Sequence, residues 1–177
     1  QFLNTADSAT TSLVGGNGQS GNMFNIINTS GAPLSITGFA QGPGSGNSSV
    51  TGAAMIVYYT PGDYTTQSAA SWSQIASGTV NLTASATTGY LPVSVTIPAG
   101  ATYGFYVGLT SGSVQYTNGT GTAGVSPWYI HPKFTVTEGL GGPYPSPTFS
   151  PRNWNGQIFF GSAGCSNIRK EVSFAIN

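Results

Sequence analysis

The sequence has very little charge. Its 177 residues include four lysines and arginines, four aspartates and glutamates and one histidine, so that charged residues make up 5% and the formal net charge is zero. A typical soluble domain carries about 25% charged residues. Because the chain has no positive field to hold a nucleic acid or an anionic membrane surface, we exclude both as partners.

Cysteine and long apolar runs are also scarce. The chain has a single cysteine, Cys165, which rules out a disulfide within one chain. No apolar run approaches the roughly 20 residues that a membrane-spanning helix needs, so no membrane insertion is expected. The sequence opens at Gln1 rather than at methionine, which predicts a processed, secreted protein with an extracellular location.

Residue types that carry catalysis are few and scattered. A glycosidase needs two carboxylates at a set separation, and a Ser-His-acid triad would have to use His131 without the Gly-x-Ser-x-Gly motif. One histidine and one cysteine do not supply the three or four ligands of zinc, and no acidic loop suits calcium. The sequence therefore predicts a protein that is not an enzyme and has no cofactor or metal. Its acidic residues are Asp7, Asp63, Glu138 and Glu171.

What the chain does have is glycine, with 26 residues, and aromatic side chains, which make up 12%. Short runs of β-branched and aromatic residues alternate with polar ones between glycine, proline and asparagine turns. This pattern predicts an all-β fold, an antiparallel β-sandwich or jelly roll of about nine or ten strands. Residues 54–60 predict a central strand buried on both faces. Residues 69–75 predict a short helix or irregular crossover, and residues 139–151 a loop.

The first 19 residues differ from the rest. We predict an N-terminal arm or edge strand over residues 1–19, followed by a single β-sandwich domain over residues 20–177. The glycine-rich residues 15–18 separate the arm from the body, so the arm is a candidate donor to the sheet edge of another copy. Residues 172–176 alternate and are expected to stay in their own sandwich. The apolar residues proposed for self-association are Phe2, Leu3, Leu13 and Val14.

Aromatic residues are the candidate ligand-binding groups. Ring faces stack on pyranose rings, and hydroxyls and amides bind sugar hydroxyls, so exposed aromatics would form a carbohydrate platform. The alternative is that the tryptophans fill the sandwich core or cover its ends. The candidates are Trp72, Trp128, Trp154 and Tyr144, with Tyr64 as a further one.

Arg152 is interpreted as a structural residue. In a chain with so few charges, an arginine two residues before Trp154 is expected to stack on a ring or to clamp a carbonyl oxygen. Four Asn-x-Ser/Thr sequons, whose use depends on a host that glycosylates, begin at Asn28, Asn47, Asn81 and Asn118.

Five stretches of the sequence carry a resemblance to known proteins: residues 21–26, 36–39, 97–107, 116–119 and 149–156. Taken in order, they resemble a secreted β-sandwich module of large bacterial surface and exported proteins, notably of the Bacteroidota. The resemblance implies an extracellular bacterial-surface location and a β-sandwich, and it carries over no catalytic residue. Family members often have aspartate where this chain has Asn25. Residues 164–169 look like the closing strand of Ig-like modules in the same proteins.

Two functional hypotheses follow. The first is a non-catalytic extracellular structural protein that associates with copies of itself or with neighbouring modules in a filament, sheath or adhesive stalk. The low charge favours it, because such surfaces repel one another little. The alternative is a carbohydrate-binding or adhesin module whose exposed tryptophan and tyrosine side chains bind glycans.

Overall fold

A computed structural model describes residues 7–44, 47–84, 86–87 and 89–162. These residues form antiparallel β-strands without an α-helix, which confirms the predicted all-β class. No helix in these ranges is long and apolar enough to cross a membrane. The strands are β1 (Asp7–Thr10), β2 (Asn17–Gln19), β3 (Gly21–Asn28), β4 (Leu34–Gln41), β5 (Val50–Pro61), β6 (Ser73–Leu82), β7 (Gly89–Ile97), β8 (Thr102–Leu109), β9 (Val114–Asn118), β10 (Pro127–His131), β11 (Phe134–Thr137), β12 (Gly139–Gly141), β13 (Phe149–Trp154) and β14 (Gly156–Ser162).

The strands form two sheets. The smaller sheet has the order β1-β14-β4-β7, and the larger one has the order β2-β9-β13-β12-β3-β8-β5-β6, with β11 also paired to β3 and β10 paired to β11. The described residues thus form 14 strands, whereas about nine or ten were predicted for the chain. The additional ones are short, such as β2 and β12, and they lie in glycine- and proline-rich segments. Such segments join a sheet only because a neighbouring strand supplies the hydrogen bonds.

The core lies between the two sheets. Phe39 of the smaller sheet contacts three rings of the larger sheet, with ring centroids 6.4 Å from Phe24, 5.3 Å from Phe105 and 5.7 Å from Trp154. All four side chains are fully buried. Alternation along each strand sends one set of side chains into this layer and the next set outward. The interior is therefore rich in aromatic rings even though apolar residues are a minority of the chain.

The long strand β5 corrects one prediction. Ala53, Met55 and Val57 are buried, whereas Ile56 and Tyr58, on the opposite face, are only partly buried. The strand is central in the sense that it pairs with both β6 and β8, but it is buried on one face only. Only one side of the larger sheet faces the smaller sheet, so the side chains on its outer side lie outside the core between the sheets.

The two irregular segments are also more ordered than predicted. Around Trp72 the chain makes a single 3₁₀ turn, Ala69–Ser71, and then enters β6 directly. The segment predicted as the loop 139–151 contains β12 and the start of β13. Both changes bring aromatic residues to defined positions on the larger sheet.

Both described strands of the N-terminal segment pair with the body of the same chain. β1 pairs with β14 at the edge of the smaller sheet, and β2 pairs with β9. Between these strands, the Thr11 hydroxyl donates to the carbonyl oxygen of Trp154 at 2.9 Å. Donation of this segment to another copy would require these pairings to break. Phe2, Leu3 and residues 172–176 lie outside the described residues.

Candidate functional site

The fold brings Trp72 and Tyr144, two of the predicted binding residues, together on the outer side of the larger sheet. The ring of Tyr144 stacks on that of Tyr58, with centroids 3.8 Å apart and planes at 13°. The ring of Trp72 meets Tyr144 edge-on, at 6.3 Å and 71°. All three side chains are half-buried. We call Tyr58, Trp72 and Tyr144 the aromatic face.

Three separate parts of the chain supply the aromatic face. Tyr58 points outward from β5, because Val57 and its alternate neighbours point into the core. Trp72 directly follows the 3₁₀ turn Ala69–Ser71, and Tyr144 lies in the connection between β12 and β13. The sequence analysis missed Tyr58 because residues 54–60 were predicted to be buried on both faces. The alternation of Met55 and Val57 with Ile56 and Tyr58 is the signal that could have found it.

A buried tyrosine holds the aromatic face in place. Tyr106 of β8 is fully buried, its ring lies 5.4 Å from that of Tyr144, and its hydroxyl donates to the carbonyl oxygen of Gly142 at 3.0 Å. Gly142 has a φ of 137°, and a Cβ atom there would lie 3.0 Å from the Cα of Pro147. Only glycine combines this backbone conformation with so close an approach. The connection that carries Tyr144 is therefore fixed at its base.

A shallow groove of about 370 Å³ continues from the aromatic face. Met23, Tyr64 and Leu140 belong both to its lining and to the apolar cluster that contains Tyr58, Trp72 and Tyr144. The lining side chains are all uncharged and combine apolar groups with three hydroxyl-bearing residues. The groove is lined by Met23, Tyr64, Thr65, Ala123, Leu140, Pro145, Ser146 and Pro147.

A buried asparagine, Asn25, fixes the position of Tyr64 in the lining of the groove. Asn25 is fully buried; its side-chain Oδ1 accepts from the backbone N–H of Tyr64 at 3.0 Å, and its Nδ2 donates to Asp63 Oδ1 at 2.9 Å. Partial burial would raise the pKa of Asp63, but the hydrogen bonds from Asn25 and Thr65 outweigh it and lower that pKa. The carboxylate is thus an internal acceptor of the turn that carries Tyr64.

Three tyrosine hydroxyls of this region have raised pKa values. Burial raises the pKa of Tyr106 to about 12 and also raises the pKa of Tyr64, where the negative charge of Asp63 adds to the effect. Burial and the neighbouring Tyr58 raise the pKa of Tyr144. Tyr64, Tyr106 and Tyr144 therefore carry no phenolate at neutral pH.

Trp154 and Trp128 lie away from the aromatic face. Trp154 is fully buried; its ring stacks on Phe24 at 5.1 Å, and its Nε1 donates to Gln41 Oε1 at 2.9 Å. The prediction that Trp154 is exposed for ligand stacking is wrong, because β13 directs it between the sheets. Trp128 is half-buried against the core, and its Nε1 donates to the carbonyl oxygen of Trp154 at 3.0 Å.

Arg152 contacts structural groups. Its NH1 donates to the carbonyl oxygen of Pro151 at 2.8 Å, and its guanidinium lies 5.9 Å from the ring centroid of Tyr116 and 5.8 Å from that of Phe149. The side chain thus clamps a carbonyl oxygen, and the rings beneath it are Tyr116 and Phe149 rather than Trp154.

The remaining predicted residues are dispersed. Leu13 is half-buried and Val14 is 83% exposed. Asn28 is fully buried, and its Nδ2 donates to the carbonyl oxygens of Ala32, Ile97 and Pro98. Its sequon is therefore closed to a glycan in the folded chain. Asn47, Asn81 and Asn118 are exposed.

The described ionisable groups have structural partners. Asp7 pairs with Lys133 at 3.0 Å, and Glu138 accepts from the backbone N–H groups of Thr120 and Gly121 at 3.1 and 2.8 Å. His131 accepts at Nδ1 from the backbone N–H of Lys133. Within the described ranges, no three His, Cys, Asp or Glu side chains come together as a metal site. Glu171 lies outside those ranges, and the expectation of a non-catalytic protein stays a prediction.

Comparisons with known proteins give a single distant likeness to report. No family model matches the sequence, and no curated protein matches it. Among solved structures, the chain is similar to a clostridial cysteine protease, Cwp84, after propeptide cleavage, with 15% identity and a TM-score of 0.48. The likeness covers 89% of this chain and 41% of the protease chain, so the chain spans less than half of that protein's length.

Proposed function

We propose that this chain is a non-catalytic extracellular module that binds a neutral carbohydrate on the aromatic face. The observation that carries the proposal is the convergence of Tyr58, Trp72 and Tyr144 on the outer side of the larger sheet. These rings are half-buried, so each keeps part of its surface in contact with solvent while its position is fixed by packing. Fixed, partly exposed rings are what stacking on a sugar requires.

The chemistry of the groove supports a neutral ligand. Its lining residues are uncharged, and Thr65 and Ser146 place hydroxyl groups beside the apolar surface of Leu140 and Pro145. The neighbouring carboxylate of Asp63 already accepts three hydrogen bonds, from Asn25 and from the backbone and side chain of Thr65. An ionic ligand would lose its hydration without gaining a counter-charge, whereas a sugar has both apolar faces and hydroxyls.

The extracellular location is part of the proposal. The low charge and the hydroxyl-rich surface, together with the resemblance to bacterial surface modules, support it. Self-association through the N-terminal arm, the other hypothesis from the sequence, has weaker support from the geometry, since β1 and β2 are paired with the same chain.

The binding test is a titration of the purified chain with soluble neutral polysaccharides: β-glucan, α-glucan, galactomannan and mannan. The change in tryptophan fluorescence should saturate for at least one of them. Trp72→Ala and Tyr144→Ala should each weaken binding about 10-fold, which corresponds to about 1.4 kcal/mol. The matched control is Tyr90→Ala, because Tyr90 is 44% exposed and lies on β7 of the other sheet.

The fluorescence signal itself identifies the site. Trp128 and Trp154 both use their Nε1 groups in hydrogen bonds within the protein, whereas Trp72 is the tryptophan of the aromatic face. Trp72→Phe should therefore abolish the fluorescence change while calorimetry still detects binding. Absence of binding to every polysaccharide, or an equal loss in Tyr90→Ala, would refute the proposal.

A further inference from the structure

The strand β6 forms one edge of the larger sheet. It pairs with β5, and among the described residues it has no second strand partner. In an antiparallel ladder, alternate residues direct their backbone N–H and C=O groups to one neighbour and then to the other. The outer side of β6 therefore presents a row of backbone donors and acceptors that can pair with another strand.

The other four edge strands among the described residues carry features that discourage such pairing. β10, which pairs only with β11, begins with Pro127. β1 begins with Asp7, which is paired with Lys133, and β7 contains Pro92. β2 is only three residues long. Charge, proline and short length are the means by which natural proteins protect sheet edges. β6 has ten residues, SQIASGTVNL, with neither a charge nor a proline.

Part of β6 is regular and part is not. Its register against β5 shifts between Ala76 and Gln74, which leaves Ile75 as an extra residue. A bulge of this kind discourages pairing at the start of the strand. From Ala76 to Leu82 the strand has no extra residue of its own, and the second register shift, opposite Val80 and Leu82, comes from an extra residue of β5. Val80 and Leu82 are buried in the core, and Thr79 is exposed.

The stretch from Ala76 to Leu82 can pair antiparallel with the same stretch of a second copy. Antiparallel pairing of two copies about a two-fold axis at Thr79 places Thr79 opposite the same residue of the second copy and Ser77 opposite the second copy's residue 81, an asparagine. Gly78 then faces the second copy's residue 80, a valine, on the core side. The side-chain oxygen of residue 81 already accepts from the backbone N–H of Gly52 at 2.9 Å, so the pair of Thr79 hydroxyls is the contact that favours this register. Hydroxyl pairs stabilise antiparallel neighbours, and a chain without net charge has no overall repulsion to overcome.

We propose that β6 is a dimerisation edge, at which two copies of this chain pair antiparallel about Thr79 and join their larger sheets into one. The two-fold arrangement uses the same surface of both copies, as closed dimers do. This inference does not rest on carbohydrate binding: the aromatic face meets β6 at its start, where the Tyr58 hydroxyl donates to Gln74 Oε1 at 2.7 Å, whereas the proposed pairing is centred on Thr79.

The first test is the mass of the full chain by light scattering during gel filtration, over a dilution series. We expect twice the chain mass of 18.0 kDa at high concentration. Thr79→Lys and Thr79→Glu, which place like charges opposite each other, should each be monomeric where the parent chain is dimeric. An equimolar mixture of the two variants should restore the dimer. The control is Ser94→Lys, which is exposed on the edge strand β7.

Cross-linking tests the register. With Cys165→Ser in the background, Thr79→Cys should form an intermolecular disulfide under mild oxidation, because the two cysteines oppose each other. Ser77→Cys, which opposes residue 81 of the second copy, should not. A parent chain that is monomeric at every concentration, a dimer that persists in Thr79→Lys, or faster cross-linking of Ser77→Cys than of Thr79→Cys would each overturn the inference.

Discussion

Two clusters of aromatic side chains in this chain, each with one tryptophan, differ in their surroundings. The interior cluster of Phe24, Phe39, Phe105 and Trp154 is sealed between the sheets. The aromatic face packs its rings as closely, with Tyr58 and Tyr144 only 3.8 Å apart, yet it stays half-open to solvent. Close ring packing alone therefore does not separate a core from a binding surface. What separates them is the side of the larger sheet on which each ring lies.

The largest effect should come from removing one tryptophan from each cluster. Trp154→Ala removes a fully buried ring and the hydrogen bond to Gln41, so we expect a loss of about 3–5 kcal/mol in unfolding free energy. Trp72→Ala removes a half-buried ring from the surface and should cost clearly less. Denaturant unfolding of both variants measures the difference, and equal costs would mean that the aromatic face is part of the core.

Two buried tyrosine hydroxyls offer a sharper comparison beneath the aromatic face. Tyr106 donates to Gly142, whereas the hydroxyl of Tyr64 is buried without a hydrogen-bond partner among the described residues. Tyr106→Phe should therefore lower stability by about 1 kcal/mol and weaken glycan binding by loosening the connection that carries Tyr144. Tyr64→Phe should leave stability unchanged or raise it, since it removes an unsatisfied group. Thermal and denaturant unfolding measure both variants. A larger loss of stability in Tyr64→Phe than in Tyr106→Phe would contradict this prediction.

The smallest effect is expected from pH, and it separates a histidine packed against buried rings from the carboxylate that supports the groove. His131 lies against the buried rings of Phe134 and Phe160, and burial, followed by the charge of Lys133, lowers its pKa below the usual 6.5, while Asp7 opposes the shift. The unfolded chain then binds this proton more readily than the folded chain does. The stability that neutral His131 contributes is present above pH 6.5 and is lost as the pH falls through the lowered pKa.

Unfolding measured between pH 7 and pH 5 should thus show a modest fall in stability that His131→Gln removes. Asp63, which supports the groove, has a lowered pKa, so its contribution is present above its unfolded pKa of 3.8 and disappears only in stronger acid. Asp63→Asn should leave the profile between pH 7 and pH 5 intact. If the fall in stability between pH 7 and pH 5 disappeared in Asp63→Asn and persisted in His131→Gln, the titrating group would be Asp63 and not His131.

The strand pattern was largely accessible from the sequence, and the short strands were not. Alternating runs such as residues 91–97 and 103–109 correspond to β7 and β8, because side chains on a half-buried strand must alternate. β12, with the sequence Gly-Leu-Gly, has no such pattern and becomes a strand only because β3 and β13 flank it. Residues whose structure depends on a distant neighbour leave no local signal.

The candidate site divides in the same way. Trp72 and Tyr144 were predicted to bind ligand as aromatic side chains, but nothing in their spacing of 72 positions in the sequence indicates that they meet. Trp154 was predicted for the same role and is buried, because β13 directs its side chain between the sheets, whereas Trp72 lies between a 3₁₀ turn and β6. Tyr58 was missed, since a dense run of strand-forming residues hides which of them faces outward.

By itself, the sequence determined the all-β class and the low charge, because alternation and composition act residue by residue. Only the tertiary structure decided which aromatic rings are sealed and which are open, and which strand is left at an unprotected edge. Those outcomes depend on the order of strands in the sheets. That order is set by hydrogen bonds and packing between segments far apart in the chain, such as β3 with β8 and β4 with β14.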